Sequence, residues 1–104
     1  METIQDTFSS RDMVRVLAAL SDENRYRIVE LLSNNAKELS CGAIGMALGL
    51  SPSLISHHLG VLESASLIER RKDGLWTLNS LRRDELGRRL EGLERLVRQP
   101  AVAS

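Results

Sequence analysis

The sequence predicts a mainly α chain with one small β-hairpin, its elements in the order α-α-α-α-β-β-α. Eighteen leucines stand against three aromatic residues, Phe8, Tyr26 and Trp76, so the core is aliphatic and suits packed helices. Two stretches with helical spacing meet at a short break around Gly49. Asp73-Gly74, a dipeptide favoured in two-residue hairpins, separates two short β-prone stretches.

The first helix is expected from about Ser10 to Leu20, because Met13, Val16, Leu17 and Leu20 keep i, i+3, i+4, i+7 spacing behind the caps Ser9 and Ser10. Ser21-Asp22-Glu23 supplies a cap and an acidic first turn for a second helix. It runs to about Ser33, with Ile28, Leu31 and Leu32 on one side and Asn34-Asn35 closing it. Ser40 caps a third helix of about two turns, with Ile44, Ala47 and Leu48 inward. Gly49 ends it in a left-handed conformation. Ser51 followed by Pro52 is a cap with proline at the first helical position, so a fourth helix starts there and runs to about Ser64. Two helices joined by about three residues form a helix-turn-helix. The hairpin pairs Leu67 to Lys72 with Leu75 to Leu78 and forms a wing beside it. Ser80 is read as the cap of a last helix carrying Leu86, Leu90, Leu93 and Val97 in one stripe, with Leu96 beside them, until Pro100 forbids continuation. The whole reads as a winged helix-turn-helix domain over residues 10–98. A flexible segment, 1–9, precedes it, and a disordered tail, 99–104, follows.

At 104 residues the chain is one domain with a modest core, and a stable partner chain helps such a fold. No apolar run approaches the roughly 20 residues that cross a bilayer. Met1-Glu2-Thr3-Ile4-Gln5-Asp6 has no basic segment leading into an apolar one. Neither membrane nor secretion is expected, and the cytoplasm is the expected compartment. The single cysteine, Cys41, makes no intrachain disulfide and no multi-thiolate cage.

Fourteen basic and 14 acidic residues cancel, so any attraction to nucleic acid must be local. Residues 51–83 are the basic part, with five cations against three carboxylates. At about 100° per residue, Ile55, Leu59 and Leu62 fall on one arc of the fourth helix, while Ser53, His57, Gly60 and Ser64 fall opposite. Ser56 sits at the flank. Short polar side chains around one imidazole suit a close approach to a major groove. Arg70, Arg71 and Lys72 put three cations on the wing, as phosphate positioners rather than sequence readers. A plain solvated face is the competing explanation of the short side chains alone.

Several motifs in order then carry a family resemblance. They are Leu17 to Ile28 (Leu-Ala-Ala-Leu-Ser-Asp-Glu-Asn-Arg-Tyr-Arg-Ile), Ala47 to Leu59 (Ala-Leu-Gly-Leu-Ser-Pro-Ser-Leu-Ile-Ser-His-His-Leu), Leu62-Glu63, Leu67-Ile68 and Gly74-Leu75-Trp76. Over about residues 10–98 the chain resembles the ArsR/SmtB family of bacterial winged-helix regulators. The resemblance implies a homodimer built from the first and last helices, bound to a partly palindromic operator on double-stranded DNA. Carried over by position, Ser51, Ser53, Ser56 and His57 match recognition-helix contacts and Arg70, Arg71 and Lys72 match the basic wing. Ser40 and Leu54 complete the expected DNA-binding set. Val14, Leu17, Leu86, Leu90, Leu93 and Val97 are the expected dimer interface. Gly60 departs from the family, many of whose members have lysine there.

The resemblance alone brings in a divalent metal such as Ni or Zn as a signal. Where metal-responding relatives place a Cys-x-Cys after Glu-Leu, this chain has Ser40 and Gly42 after Glu38-Leu39, with Cys41 between them. The other family site uses Asp and His on the last helix, and here that helix holds Asp84, Glu85, Glu91 and Glu94 but no histidine. Both sites are degenerate. Glu91 and Glu94, with Glu2 and Asp6 across a dimer, are weak metal candidates that a solvated charge pattern explains equally well. The signal is then expected from a separate sensor or co-regulator protein, or from an unusual ligand.

Cys41 reads either as a thiol switch or as a small buried hydrophobe, the second being favoured. His58, on the shoulder of the inward arc, is expected to be partly buried and hydrogen-bonded within the domain. The leading function is a DNA-binding transcriptional regulator, a repressor more readily than an activator. A protein-interaction module and a thiol-responsive regulator are the alternatives. An enzyme is not expected, since neither a phosphate loop nor a spaced acid/base pair is present.

Overall fold

A computed structural model describes residues 10–102. Helix α1 (Ser10–Leu20) is followed by α2 (Glu23–Ser33), strand β1 (Leu39–Ser40), α3 (Cys41–Leu48) and α4 (Pro52–Ser64). Strands β2 (Ile68–Asp73) and β3 (Trp76–Leu81) form the hairpin, and α5 (Arg83–Arg98) closes the fold. The expected segment 1–9 and the last two residues of the expected tail lie outside the described residues.

Local chemistry sets most boundaries. The Asp22 carboxylate accepts from the backbone N–H groups of Asn24 (2.8 Å) and Arg25 (3.1 Å), capping α2. The bond from Arg25, reinforced by that from Asn24, holds the Asp22 carboxyl below its ordinary 3.8. Ser40 Oγ accepts from Ala43 N–H at 3.1 Å and Ser51 Oγ from Leu54 N–H at 3.3 Å, which caps α3 and α4. Gly49 takes φ +70° and stops α3. Helix α4 ends in a Schellman motif, with Ser66 N–H donating to Glu63 O (2.9 Å) and Leu67 N–H to Leu62 O (3.0 Å). Ser66 occupies its left-handed position at φ 62°.

The core is one aliphatic cluster. Val16 and Ala19 of α1 meet Ile28, Val29 and Leu32 of α2, Ile44 of α3, Ile55, Leu59 and Leu62 of α4, and Leu67 and Ile68 leading into the wing. Gly45 lets the two helices of the helix-turn-helix close on each other. A Cβ added there would lie 3.1 Å from Leu50 O and 3.4 Å from Ile55 Cγ1.

Four expectations need correction. The sheet has three strands in the order β1-β3-β2, because Leu39 and Ser40 pair antiparallel with Asn79 and Leu78. A two-residue strand carries no periodicity of its own, so only its partner defines it. In the hairpin Asp73 pairs with Trp76, making Gly74-Leu75 the loop rather than Asp73-Gly74. Gly74 alone has positive φ (63°), the φ pattern of a turn with glycine at its first central position. Ser80 does not cap the last helix. It pairs with Glu69 in β3, and α5 begins after Arg82 with no side-chain cap, its first turn supported by Asp84 and Glu85. Ala47 is exposed, whereas Val29, not expected inside, is buried.

Candidate nucleic-acid interface

Helix α4 is held by its buried face. Ile55, Leu59 and Leu62 are 1% exposed or less, and His58, 6% exposed, completes the arc. Arg25 anchors this imidazole. Its Nη1 lies 3.3 Å from His58 Nδ1, while its Nε donates to Ala19 O at 2.7 Å, so one guanidinium joins α1, α2 and α4. An arginine donor beside Nδ1 makes that ring nitrogen the acceptor of the pair. His58 is therefore structural, as expected.

The opposite face is exposed at Ser51, Ser53, Leu54, Ser56, His57 and Ser64, with Gly60 half-buried. Leu54 is 47% exposed on this face. The His57 ring lies 5.5 Å from that of His58 and tilts away from it by 55°. The recognition set expected on α4 thus shares one accessible face. Ser40 sits apart from it, half-buried, its hydroxyl committed to the α3 cap.

The three wing cations differ in placement because strand side chains alternate. Ile68 is buried, and Arg70, two residues on, lies on the same face. Its Nε donates to Asn79 Oδ1 at 3.1 Å, Nη2 lies 3.7 Å from Cys41 Sγ, and Nη1 is 3.9 Å from Glu63. Arg71 projects from the other face into a fork on Glu38, with Nη2 to Oε1 at 2.6 Å and Nε to Oε2 at 3.1 Å. This bond holds the Glu38 carboxyl below its ordinary 4.5 and raises the Arg71 guanidinium above its ordinary value. Lys72 is exposed.

Asn79, which the sequence did not single out, and Glu38, named there only as part of the Glu-Leu pair, organise this corner. Asn79 is fully buried and donates from Nδ2 to Leu39 O at 3.0 Å, tying the wing to β1. An apolar-to-polar break inside a strand, at Leu78-Asn79, is the only sequence signal for it. Cys41 is half-buried at the start of α3, its Sγ 3.6 Å from Asn79 Nδ2.

Of the expected interface residues, Val14 (63% exposed), Leu17 (42%), Leu90 (55%) and Val97 (86%) present apolar surface. Leu93 is half-buried, and Leu86 packs against the edge of the core. No residue of α5 is buried. Of the weak metal candidates, Glu2 and Asp6 lie outside the described residues. Glu94 pairs with Arg98 at 2.9 Å, Glu91 is exposed, and among the described residues no three His, Cys, Asp or Glu side chains group together. With Ser40 capping α3 through its hydroxyl, the described residues of a single copy do not fit a metal at the start of α3. Among the described residues no helix is long and apolar enough to cross a membrane.

Comparison with known proteins agrees with this architecture. A helix-turn-helix domain family matches residues 20–71, half of the chain. YceK of Bacillus subtilis (strain 168), an uncharacterised helix-turn-helix transcriptional regulator, is 38% identical over 85 residues, covering 80% of this chain and 85% of its own. A Halobacterium salinarum protein bearing the name of an arsenical resistance operon repressor, ArsR, is 44% identical over 63 residues. That match covers 61% of this chain and about half, 49%, of the halobacterial protein. Among solved structures, the homodimeric winged helix-turn-helix DNA-binding domain of Mb0332 from Mycobacterium bovis superposes with a TM-score of 0.68 at 27% identity, covering 89% of each chain. By sequence and by fold, the chain belongs to the ArsR/SmtB family of winged helix-turn-helix transcriptional regulators.

Proposed function

We propose that two copies of this chain bind an inverted-repeat operator on double-stranded DNA and repress transcription by occluding polymerase. The observation that carries this reading is the accessible face of α4, where Ser53, Ser56 and His57 surround Leu54 at the second helix of a helix-turn-helix. Hydroxyls and an imidazole suit base-edge hydrogen bonds, and an exposed leucine suits the thymine methyl group. Arg71 and Lys72 serve as phosphate contacts on the wing, while Arg70 holds the wing in place from within.

The dimer is supported by the apolar surface on α1 and α5 and by the homodimeric Mycobacterium bovis domain. Its shape points the same way. The radius of gyration is 16.1 Å, where a compact chain of this length has about 13 Å, and α5 buries none of its residues in the single chain. Two recognition helices about 34 Å apart then read successive major grooves. Since the donor set described in a single copy does not fit a metal, the signal reaches the dimer through a separate protein or an unusual ligand.

The test is binding, followed by fluorescence anisotropy, to a duplex selected by the protein from a random pool and to random duplex, across a salt series. His57→Ala is expected to narrow the gap between the two duplexes, and Arg71→Ala to weaken both alike while flattening the salt slope by about 1. No preference of the wild-type protein for any duplex rejects the reading.

A further inference from the structure

Helix α4 is a ridge between two grooves, and Ser56 lines both. One groove runs beneath the wing and is lined by Cys41, Leu50, Arg70 and Thr77. The other, of about 620 Å³, separates α4 from α1 and the start of α2, and Arg15, Arg25, His57, Gly60 and Ser64 line it. Among the described residues no carboxylate lines this second groove.

Its two arginines are placed differently. Arg15 is exposed and has no ion-pair partner among the described residues. Arg25 is fixed at the groove wall by its bonds to Ala19 and His58, which use Nε and Nη1. The space above Gly60 is open, since a Cβ built there meets nothing within 4 Å.

A helix is about 10–12 Å across with its side chains, and the major groove is about 12 Å wide, so a helix lying in it has a sugar-phosphate strand on each bank. The wing, with Arg71 and Lys72, offers cations to one bank only. We propose that the groove between α1 and α4 seats the opposite strand, with Arg15 and Arg25 as phosphate contacts above Gly60. This inference rests on the DNA-binding reading given above. It also accounts for the glycine, since a backbone with no side chain at this position lets the strand pass close to the helix. A small anion is the weaker occupant, because the groove continues directly into the face offered to the bases at Ser56 and His57, the path a duplex strand must follow.

The experiment uses the full chain with the selected and random duplexes. Arg15→Ala is expected to weaken both about five- to tenfold and to lower the slope of log affinity against log salt by about 1. Arg15→Lys retains most of the affinity, because a phosphate accepts a point charge. Arg98→Ala removes the same charge at the far end of α5 and leaves the slope unchanged. Ethylation interference on the wild-type complex gives a reading free of any variant, and interfering phosphates are expected on both banks of each half-site.

Interference confined to the wing-side bank overturns the proposal, as does an Arg15→Ala protein that matches Arg98→Ala. An Arg15→Ala loss explained by dimer dissociation in sedimentation equilibrium also overturns it, by assigning the residue to assembly. A wild-type protein that prefers no duplex rejects the underlying reading instead, an outcome distinct from all of these.

Discussion

Arg70 Nε donates a 3.1 Å hydrogen bond to Oδ1 of Asn79, the residue directly across from it in the hairpin. Asn79 is fully buried and passes the connection on, from its Nδ2 to Leu39 O at 3.0 Å. One amide thereby links all three strands. Replacing it with an isosteric apolar residue strands the Arg70 guanidinium and removes the donor to Leu39, at a cost of about 1–3 kcal/mol. Asn79→Leu is expected to lose that much in urea unfolding. A loss under 0.5 kcal/mol shows that water replaces the amide at no cost.

On the proposed DNA-binding reading, Glu38 is a competitor of the phosphate for Arg71. The fork between them occupies the guanidinium that the wing would offer to a phosphate. Glu38→Gln is expected to raise affinity for selected and random duplexes alike, about three- to tenfold, and to steepen the salt slope. The pH dependence has a definite sign. The Glu38 carboxyl is held below its ordinary 4.5 by the Arg71 hydrogen bond, so the pair is fully present above 4.5 and is lost as pH falls through the lowered value. Between pH 6 and 8 the gap between the wild-type protein and Glu38→Gln should therefore stay constant, and a gap that varies over that range contradicts the assignment.

Helix α2 and the helix-turn-helix were legible because their boundaries are written in neighbouring residues. Asp22, Ser40 and Ser51 each cap within three residues of their own position, and Gly49 needs only its own freedom at φ +70°. The wing was legible as a hairpin but not in its register. Placing the turn one residue early hid the pairing of Asp73 with Trp76, and a serine read as a helix cap proved to be in a strand. Alternation from buried Ile68 was enough to turn Arg70 inward and Arg71 outward, had the strand been read by its period of two. Strand β1, the buried role of Asn79 and the groove joining Arg15 to His57 depend on residues distant in the chain, so no local pattern announces them.

Ser66 carries a conformational penalty at a position glycine fills freely. It occupies the left-handed site of the α4 Schellman motif at φ 62°, where a Cβ crowds the backbone. Its absence from the glycine pattern is why this helix end lacked the usual signal. Ser66→Gly is expected to stabilise the protein by about 0.5–1 kcal/mol, the relief of strain exceeding the entropy that glycine adds to the unfolded chain. A Tm equal to or below that of the wild-type protein argues against strain at this residue.

The apolar stripe of α5 presents exposed surface, with Leu90 at 55% and Val97 at 86%. If α1 and α5 bury it between two copies, a charge placed there meets its own image across the two-fold axis. Leu90→Glu is expected to weaken the dimer at least tenfold in sedimentation equilibrium and to reduce operator affinity with it. Helical content should stay close to the wild-type value, because Leu90 contributes little to the core of the single chain. A dimer unaffected by Leu90→Glu and by Leu17→Glu places the interface elsewhere.

The donor chemistry of the described residues argues against direct regulation by a metal. A tightly held Zn or Ni ion needs three or four ligands of N, S or carboxylate type fixed in one place. At the start of α3 the available donors are a hydroxyl that already caps the helix through Ala43 N–H, a glycine with no donor, and one thiol beside the Arg70 guanidinium. A neighbouring cation opposes a second one. On α5 the carboxylates of Glu85 and Glu94 are held by arginines, Glu85 by Arg82, Arg88 and Arg89 and Glu94 by Arg98. A metal at either of these two residues would have to displace the guanidiniums and then bind with carboxylates alone. Calorimetric titration of the protein with Zn, Ni and Co is therefore expected to give no stoichiometric binding below micromolar concentration, and DNA affinity should be indifferent to chelator. Submicromolar binding at one ion per protomer or per dimer would reveal a ligand set that these side chains do not offer in a single copy.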